Sequence, residues 1–343
     1  MVNQIDIEDF YRLIGNLPII DIRSEKEYQQ GHIPGSINLP LFNNEERAIV
    51  GTLYQKSGRE TSVLKGLELV GRKLPDFIKQ LHKITDKKQI LVHCWRGGMR
   101  SESMAWLFNL AGYEVQVLKG GYKAYRHFIR KEFLQKAKII ILGGLTGSGK
   151  TEILHRLGGI GEQILDLESL ANHKGSVFGG YNLPDQPTNE QFENDLYGVW
   201  GNMDFSRCIW IEDESRMIGN VCIPDPLFEQ MNRAPMIKIE VGKEERVKRI
   251  LDEYAILEKQ DLLTALKKIG EKLGGTNLKM AISALESDDF KTVVNLTLAH
   301  YDKSYTFSVN RRANPEVLAI HLEENSPEKN VDLVLEASKK IYK

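Results

Sequence analysis

Residues 144–151 read GLTGSGKT, set between the apolar run AKIIIL (137–142) and the helical pattern EILHRLG. A G-x-x-x-x-G-K-[ST] loop joining a strand to a helix constrains the fold more than any other feature of the chain, because both flanks it requires are present. Its backbone N–H groups close around phosphate, and the helix N-terminus behind them favours negative charge. Gly144, Gly147, Ser148 and Gly149 form that cradle, Lys150 reaches the terminal phosphates, and Thr151 is placed to ligate a Mg²⁺ ion brought by the ligand. A carboxylate for such a metal belongs at the end of another strand. Asp166 qualifies by position, and Glu212, Asp213 and Glu214 in IWIEDESR follow the stronger apolar run. No adenine-recognition motif accompanies the loop, so it announces a phosphate-bearing ligand without naming ATP.

The strand ahead of this loop opens the second of two series. LPIIDI (17–22), QILVHC (89–94) and YEVQVL (113–118) alternate with amphipathic stretches at 64–83 and 101–111. AKIIIL is then followed by QILDL (163–167), RCIWIED (207–213) and APMIKIEV (234–241). Strand and helix alternation of this kind predicts α/β architecture with parallel sheets. At 343 residues the chain exceeds what one core usually serves, so two domains are expected, 1–132 and 133–343. After Gly242 the patterns EERVKRILDEY, DLLTALKKIGEKL and FKTVVNLTLAHYDKSY predict a helical C-terminal extension.

Hydrophobic residues make up 41% and charged residues 27%, and no segment approaches the roughly 18 apolar residues of a membrane helix. With no basic leader at the N-terminus, the expected location is the cytoplasm, away from membranes. A net charge of −1 provides no global field for nucleic acid, so any such contact must be local. The segment 119–138 supplies one, with Arg126 and Arg130 four apart on a helix face. It also predicts a stiff helical connection between the domains. Three cysteines, Cys94, Cys208 and Cys222, form neither a disulfide framework nor metal-binding spacing, so no structural metal is expected.

Cys94 ends the strand QILVH and opens WRGGMRS, which leads into the helical pattern SESMAWLFNLAG. A thiol at a strand end, in a loop of amides at a helix N-terminus, has the setting of a nucleophile that works on an oxyanion. Gly97 and Gly98 allow the tight turn, while Arg96 and Arg100 add positive charge. Cys208 and Cys222 lack this setting and read as packed structural cysteines. Asp21, Arg23 and Glu27 in DIRSEKEYQQGHIPGSINLP match the upstream signature of the rhodanese homology domain, which residues 5–130 resemble. One departure is the five residues between Cys94 and Arg100, one more than in the sulfur-transferring rhodanese loop. That spacing looks like the loop of cysteine-dependent phosphatases and arsenate reductases. A phosphatase, with Glu102 as a candidate general acid, therefore stands beside a sulfurtransferase and a selenophosphate-using transferase.

The order of the two loops, together with HKGSVFGG (173–180), DQPTNEQFEN (185–194) and EDESRMIGNVCIP (212–224), resembles the tRNA 2-selenouridine synthase family over nearly the whole chain. The resemblance implies an N-terminal rhodanese-like parallel-sheet domain joined to a P-loop NTPase-like α/β domain. It implies replacement of sulfur by selenium in the wobble 2-thiouridine of tRNA, with selenophosphate as donor. An S-geranyl-2-thiouridine intermediate made from geranyl diphosphate is implied as well, since alkylation turns sulfur into a good leaving group. Cys94 would carry or deliver selenium, Arg96, Gly97, Gly98 and Arg100 would hold the donor, and the P-loop would hold diphosphate. Lys174, Ser176, Glu212, Asp213, Glu214 and Arg216 lie in family-like polar segments. Arg126, Arg130, Arg311 and Arg312 are expected to neutralise tRNA phosphates, with Trp95, Tyr181 or Trp200 available to stack the base. No tightly bound cofactor is expected. A non-catalytic module using the P-loop as a nucleotide switch is the third reading.

Overall fold

The computed structural model describes residues 2–176, 178–181, 183–254, 257–314, 316–322 and 327–341. The chain divides into two compact units, Met1–Glu132 and Phe133–Lys343.

In the first unit, five strands form a parallel sheet: β1 (Asn3–Ile5), β2 (Ile19–Asp21), β3 (Ser36–Asn38), β4 (Gln89–His93) and β5 (Glu114–Leu118). Their order is β1-β5-β4-β2-β3, so β4 lies in the middle. Four of its five residues are buried, as expected for a strand covered on both faces. Helices α1 (Ile7–Leu13), α2 (Glu25–Gln30), α3 (Asn44–Gly71), α4 (Leu74–Ile84), α5 (Met99–Leu110) and α6 (Gly121–Glu132) complete the unit. The amphipathic stretch expected over 64–83 is two helices. The chain breaks between α3 and α4, where Pro75 occupies the first turn of α4 and cannot continue a preceding helix. Helix α3 itself kinks at Gly58, whose φ of 85° no helix accommodates. Phe77 and Leu81 from α4 and Met104, Ala105 and Phe108 from α5 pack with Ile20, Ile90 and Val92 of the sheet.

The second unit repeats the plan. Strands β6 (Lys138–Gly144), β7 (Gln163–Leu165), β8 (Cys208–Glu212), β11 (Met236–Glu240) and β12 (Val317–His321) pair in parallel, in the order β12-β11-β6-β8-β7. A short antiparallel pair, β9 (Met217–Ile218) and β10 (Val221–Cys222), stands apart. Around the sheet lie α7 (Lys150–Gly159), α8 (Leu167–Leu170), α9 (Asn189–Trp200), α10 (Asp225–Arg233) and α16 (Pro327–Ser338). Helices α11 (Lys243–Tyr254), α12 (Lys259–Lys268), α13 (Gly270–Leu273), α14 (Gly275–Glu286) and α15 (Phe290–Val309) form the C-terminal helical region. It has its own core of Leu262, Leu266, Leu285, Val294 and Leu298. The α/β prediction holds for both units. Strand β12 is the exception to a helical C-terminus: it crosses back to pair with β11 and closes the sheet edge. The expected helical connection is also absent. Helix α6 ends at Glu132, and Phe133 turns its ring into a cluster with Tyr197 and Trp200.

Candidate active site

Both candidate loops leave the carboxyl end of a middle strand, where ligands of open parallel sheets gather. Cys94 follows β4 and sits at the floor of its loop, 3% exposed. Its Sγ lies 3.3 Å from Ser101 Oγ in the first turn of α5. The Ser101 hydroxyl donates to the Gly98 carbonyl at 2.9 Å, which leaves the thiol as donor toward Ser101. The loop is pinned by a glycine clasp. Gly97 (φ 64°) and Gly121 (φ 61°) face each other so closely that a Cβ on Gly97 would lie 2.5 Å from the Leu118 carbonyl, and one on Gly121 would strike the Cys94 carbonyl. Tyr122 and Lys123 amides donate to the carbonyls of Cys94 and Trp95, at 2.8 and 3.0 Å, fixing the loop to the start of α6. Gly98 has open space around its Cα, so only Gly97 of the expected pair is sterically required.

Beneath the loop is a buried polar core. Arg23 and Asp21 are fully buried and paired at 2.6 Å, with the Arg23 guanidinium 3.8 Å above the Tyr122 ring and a further bond to the Gly31 carbonyl. Burial alone would push Asp21 up, but neighbouring His93 and the Arg23 contacts hold its carboxyl below the usual range. Burial drives His93 the other way for a base, below 6.5, with Asp21 opposing that shift. Arg100 is directed to Glu27 at 3.1 Å, where Glu27 also caps α2 through the Ser24 amide. Burial raises Glu27, and the Arg100 charge, the Ser24 amide and Arg47 outweigh it and lower the carboxyl. Arg96 is exposed. Glu102 accepts from Gln4 at 2.9 Å, so its carboxylate is engaged beside the edge strand β1.

The P-loop follows β6 and lines a cavity of about 2030 Å³. A Cβ on Gly144 would lie 2.6 Å from Ser148 Oγ and 2.7 Å from Ile239, and Gly147 and Gly149 take left-handed φ of 77° and 82°. Lys150 Nζ donates to the Gly144 carbonyl at 3.0 Å, and the Thr151 hydroxyl donates to Glu168 at 3.0 Å. Glu168 is therefore the carboxylate that meets Thr151. It was missed because LDLESL reads as an ordinary helix start; only α8, docked at the end of β7, turns it to the loop.

Of the three carboxylates left open, Glu212 is fully buried, accepts the Glu168 amide at 2.8 Å, and has one oxygen with no protein partner among the described residues. Asp213 is used elsewhere. It pairs with Arg312 at 2.9 Å and is approached by Tyr305, whose hydroxyl accepts the Gly144 amide at 2.8 Å. Glu214 turns back to Glu168 beneath Gly175, where a Cβ would lie 2.8 Å from the Glu214 carboxylate. Burial, then Glu168, push Glu214 up to about 8. Glu212 is also raised, by burial and then by Glu168 and Asp166, and Glu168 is raised chiefly by burial. No group of three or more His, Cys, Asp or Glu with metal-holding geometry occurs among the described residues.

Lys174 and Ser176 line the cavity, Ser176 accepting the Phe178 amide at 3.2 Å; Val177 between them lies outside the described residues. Arg216 pairs with Asp225 outside the cavity lining. The expected tRNA contacts need correction. Arg126 is buried on α6, and the Arg312 side chain, 7% exposed, is spent on Asp213 and on the Met231 carbonyl, so neither offers charge to solvent. Arg130 and Arg311 are exposed. Trp200 is 0% exposed in the aromatic core and cannot stack a base, whereas Tyr181 lines the cavity and Trp95 is half-buried beside Tyr122. A cationic rim went unread in the helical patterns. Lys268 and Lys272 line the cavity beside His300, whose ring is lowered by burial and then by Lys272 and Lys303.

No helix among the described residues is long and apolar enough to cross a membrane. A thiol loop on one parallel sheet and a phosphate loop on another define a rhodanese domain fused to a P-loop domain. The rhodanese-like domain model matches residues 6–127, and the model of the tRNA 2-selenouridine synthase AAA domain matches 137–326. The chain is 34% identical to a tRNA 2-selenouridine synthase of Sulfurovum sp., over 88% of this chain and 91% of that one. It is 31% identical to the protein so named in Nitrosomonas europaea, over 91% and 94%. A solved N-terminal domain from Clostridium difficile 630, of a protein described as ATP/GTP binding, is 40% identical over 37% of this chain and 98% of its own, with a TM-score of 0.35. The chain belongs to the tRNA 2-selenouridine synthase family.

Proposed function

We propose that this protein is a cytoplasmic tRNA 2-selenouridine synthase that works in two transfers: S-geranylation of wobble 2-thiouridine from geranyl diphosphate, then replacement of the geranylated sulfur by selenium from selenophosphate. The observation that carries the first transfer is the make-up of the large cavity. Its lining combines Lys150 and the backbone amides of the P-loop with Phe178, Ile250, Leu257, Ile269 and Leu298, Ile250 lying against Gly147 itself. A phosphate cradle and apolar side chains lining one cavity suit a prenyl diphosphate better than a nucleotide. In that step the thiouridine sulfur bonds to the allylic carbon, the carbon–oxygen bond breaks, diphosphate leaves into the P-loop, and the base loses its N3 proton. Magnesium would be held by Thr151, Glu168 and the phosphates, where it would neutralise the departing charge.

Cys94 serves the second transfer, with the amides of its loop and Arg96 and Arg100 holding the donor. Arg130, Arg311 and the lysines Lys268, Lys272 and Lys303 contact tRNA phosphates. The test is to incubate the protein with 2-thiouridine tRNA, geranyl diphosphate and selenophosphate, digest the tRNA and identify nucleosides by mass. A selenium-bearing uridine is expected from the wild type, and S-geranyl-2-thiouridine alone from Cys94→Ala. Unchanged thiouridine with folded wild type sinks the reading.

A further inference from the structure

We propose that Cys94 attacks the phosphorus of the selenium donor, so that the loop works as a phosphoryl acceptor that frees selenide, and that Ser101 assists the later release of the thiolate. The inference rests on the selenophosphate reading above.

Three observations carry it. The amides of Trp95, Arg96, Gly97 and Gly98 donate to no protein acceptor among the described residues, while the Tyr122 and Lys123 amides hold the carbonyls of Cys94 and Trp95 and Gly121 backs against the nitrogens of Arg96 and Gly97. A row of unpaired amides beside a sulfur holds phosphoryl oxygens and sets the phosphorus, rather than the selenium, over Sγ. Second, Ser101 Oγ lies 3.3 Å from Sγ. With the thiol proton gone, its hydroxyl can turn from the Gly98 carbonyl to donate to the sulfur, a placement that serves a cysteine required to leave again. Third, Glu102, the candidate general acid of the loop, is engaged by Gln4 beside the edge strand β1. An alkyl phosphate needs one; selenide, a weak base, departs without it.

The electron balance points the same way. Attack at phosphorus forms a sulfur–phosphorus bond and breaks the phosphorus–selenium bond, and selenium leaves with the bonding pair and the thiol proton as HSe⁻. Water then attacks the phosphocysteine, the sulfur–phosphorus bond breaks, the thiol is regenerated and orthophosphate departs. No oxidant or reductant is consumed. Attack at selenium would instead leave the pair on phosphorus and yield phosphite with a Cys94 selenosulfide. The freed selenide is the nucleophile that displaces the alkylated sulfur.

The experiment mixes the full chain with selenophosphate alone, follows products by ³¹P NMR, and takes the intact mass of the quenched protein. Phosphate and selenide should appear, with a Cys94 adduct that contains phosphorus and lacks the selenium isotope pattern. Ser101→Ala, checked for an unchanged melting temperature, should hydrolyse that adduct on the order of 10²-fold more slowly and accumulate it. Phosphite with a selenium-patterned adduct overturns the proposal and leaves selenophosphate as the donor. Equal adduct lifetimes in the two proteins overturn the role of Ser101. If folded wild type consumes no selenophosphate, the proposal and the donor reading fall together.

Discussion

The strands β4 and β6 occupy the same place, the middle of a five-stranded parallel sheet, and each runs into a glycine-bearing loop ahead of a helix. What surrounds the two loops differs. The cysteine loop is clasped on its carbonyl side by Gly121, Tyr122 and Lys123, over a buried Asp21–Arg23 pair whose charges cancel. The P-loop is held from behind by side chains of the helical region, since Tyr305 accepts the Gly144 amide and Arg246 donates to the Thr146 carbonyl. Its front opens on the large cavity, beside the carboxyl groups of Glu168 and Glu214, which burial and their mutual proximity push toward the protonated form. One loop is braced for a reaction at a single atom, the other for a large ligand that arrives with its own cation. The same local design thus serves different chemistry because of what packs against it.

The sharpest way to break this comparison is to remove one loop's chemistry and look for an effect on the other. Cys94→Ala should cut selenium incorporation on the order of 10⁴-fold or more, as loss of a nucleophile does, with diphosphate binding unchanged in calorimetry. A parallel loss of diphosphate binding would show that the loops do not act separately. Arg23→Ala should follow in size. It strands Asp21 as a buried unpaired charge and should destabilise the first unit by about 3–5 kcal/mol in urea unfolding, leaving the second unit's transition in place.

Next comes Glu214→Gln. In the folded protein Glu214 keeps its proton up to about pH 8, while an unfolded glutamate releases it near 4.5. The folded state therefore binds more protons between these values, and stability falls as pH rises through that window. Gln has no proton to lose. Its advantage over wild type should be absent below pH 4.5 and grow by about 1.4 kcal/mol for each pH unit through that window in thermal melts. A pH-independent difference would refute the account. Tyr305→Phe should have the smallest effect. It leaves the Gly144 amide without its acceptor and should weaken diphosphate binding about 10-fold, equivalent to roughly 1.4 kcal/mol, with little change in the Cys94 reaction.

Much of this protein was legible in its residue order. The apolar runs QILVH and AKIIIL gave the middle strands, because strands covered on both faces must be apolar throughout, and the loops behind them follow from local glycine and helix-start chemistry. The limits appear where a residue's role depends on a distant partner. Arg126, Arg130, Arg311 and Arg312 are alike as sequence, yet Arg126 is buried and the Arg312 side chain is covered by its pairing with Asp213, while the other two face solvent. Helix pattern gives a charge its face, but not whether that face meets another element. Gly121, Ser101 and Glu168 were overlooked for the same reason: nothing next to them in the chain distinguishes a clasp, a thiol partner or a P-loop carboxylate from a common turn or helix residue.

What the sequence determined by itself, then, was the class of each loop and the alternation that builds each sheet, since these rest on contacts between near neighbours in the chain. Tertiary structure decided which carboxylate meets Thr151, which arginines stay in water, and that a tyrosine 161 residues beyond Gly144 steadies its amide. Such contacts are fixed by packing across large separations, where burial cost and hydrogen-bond satisfaction select the partner.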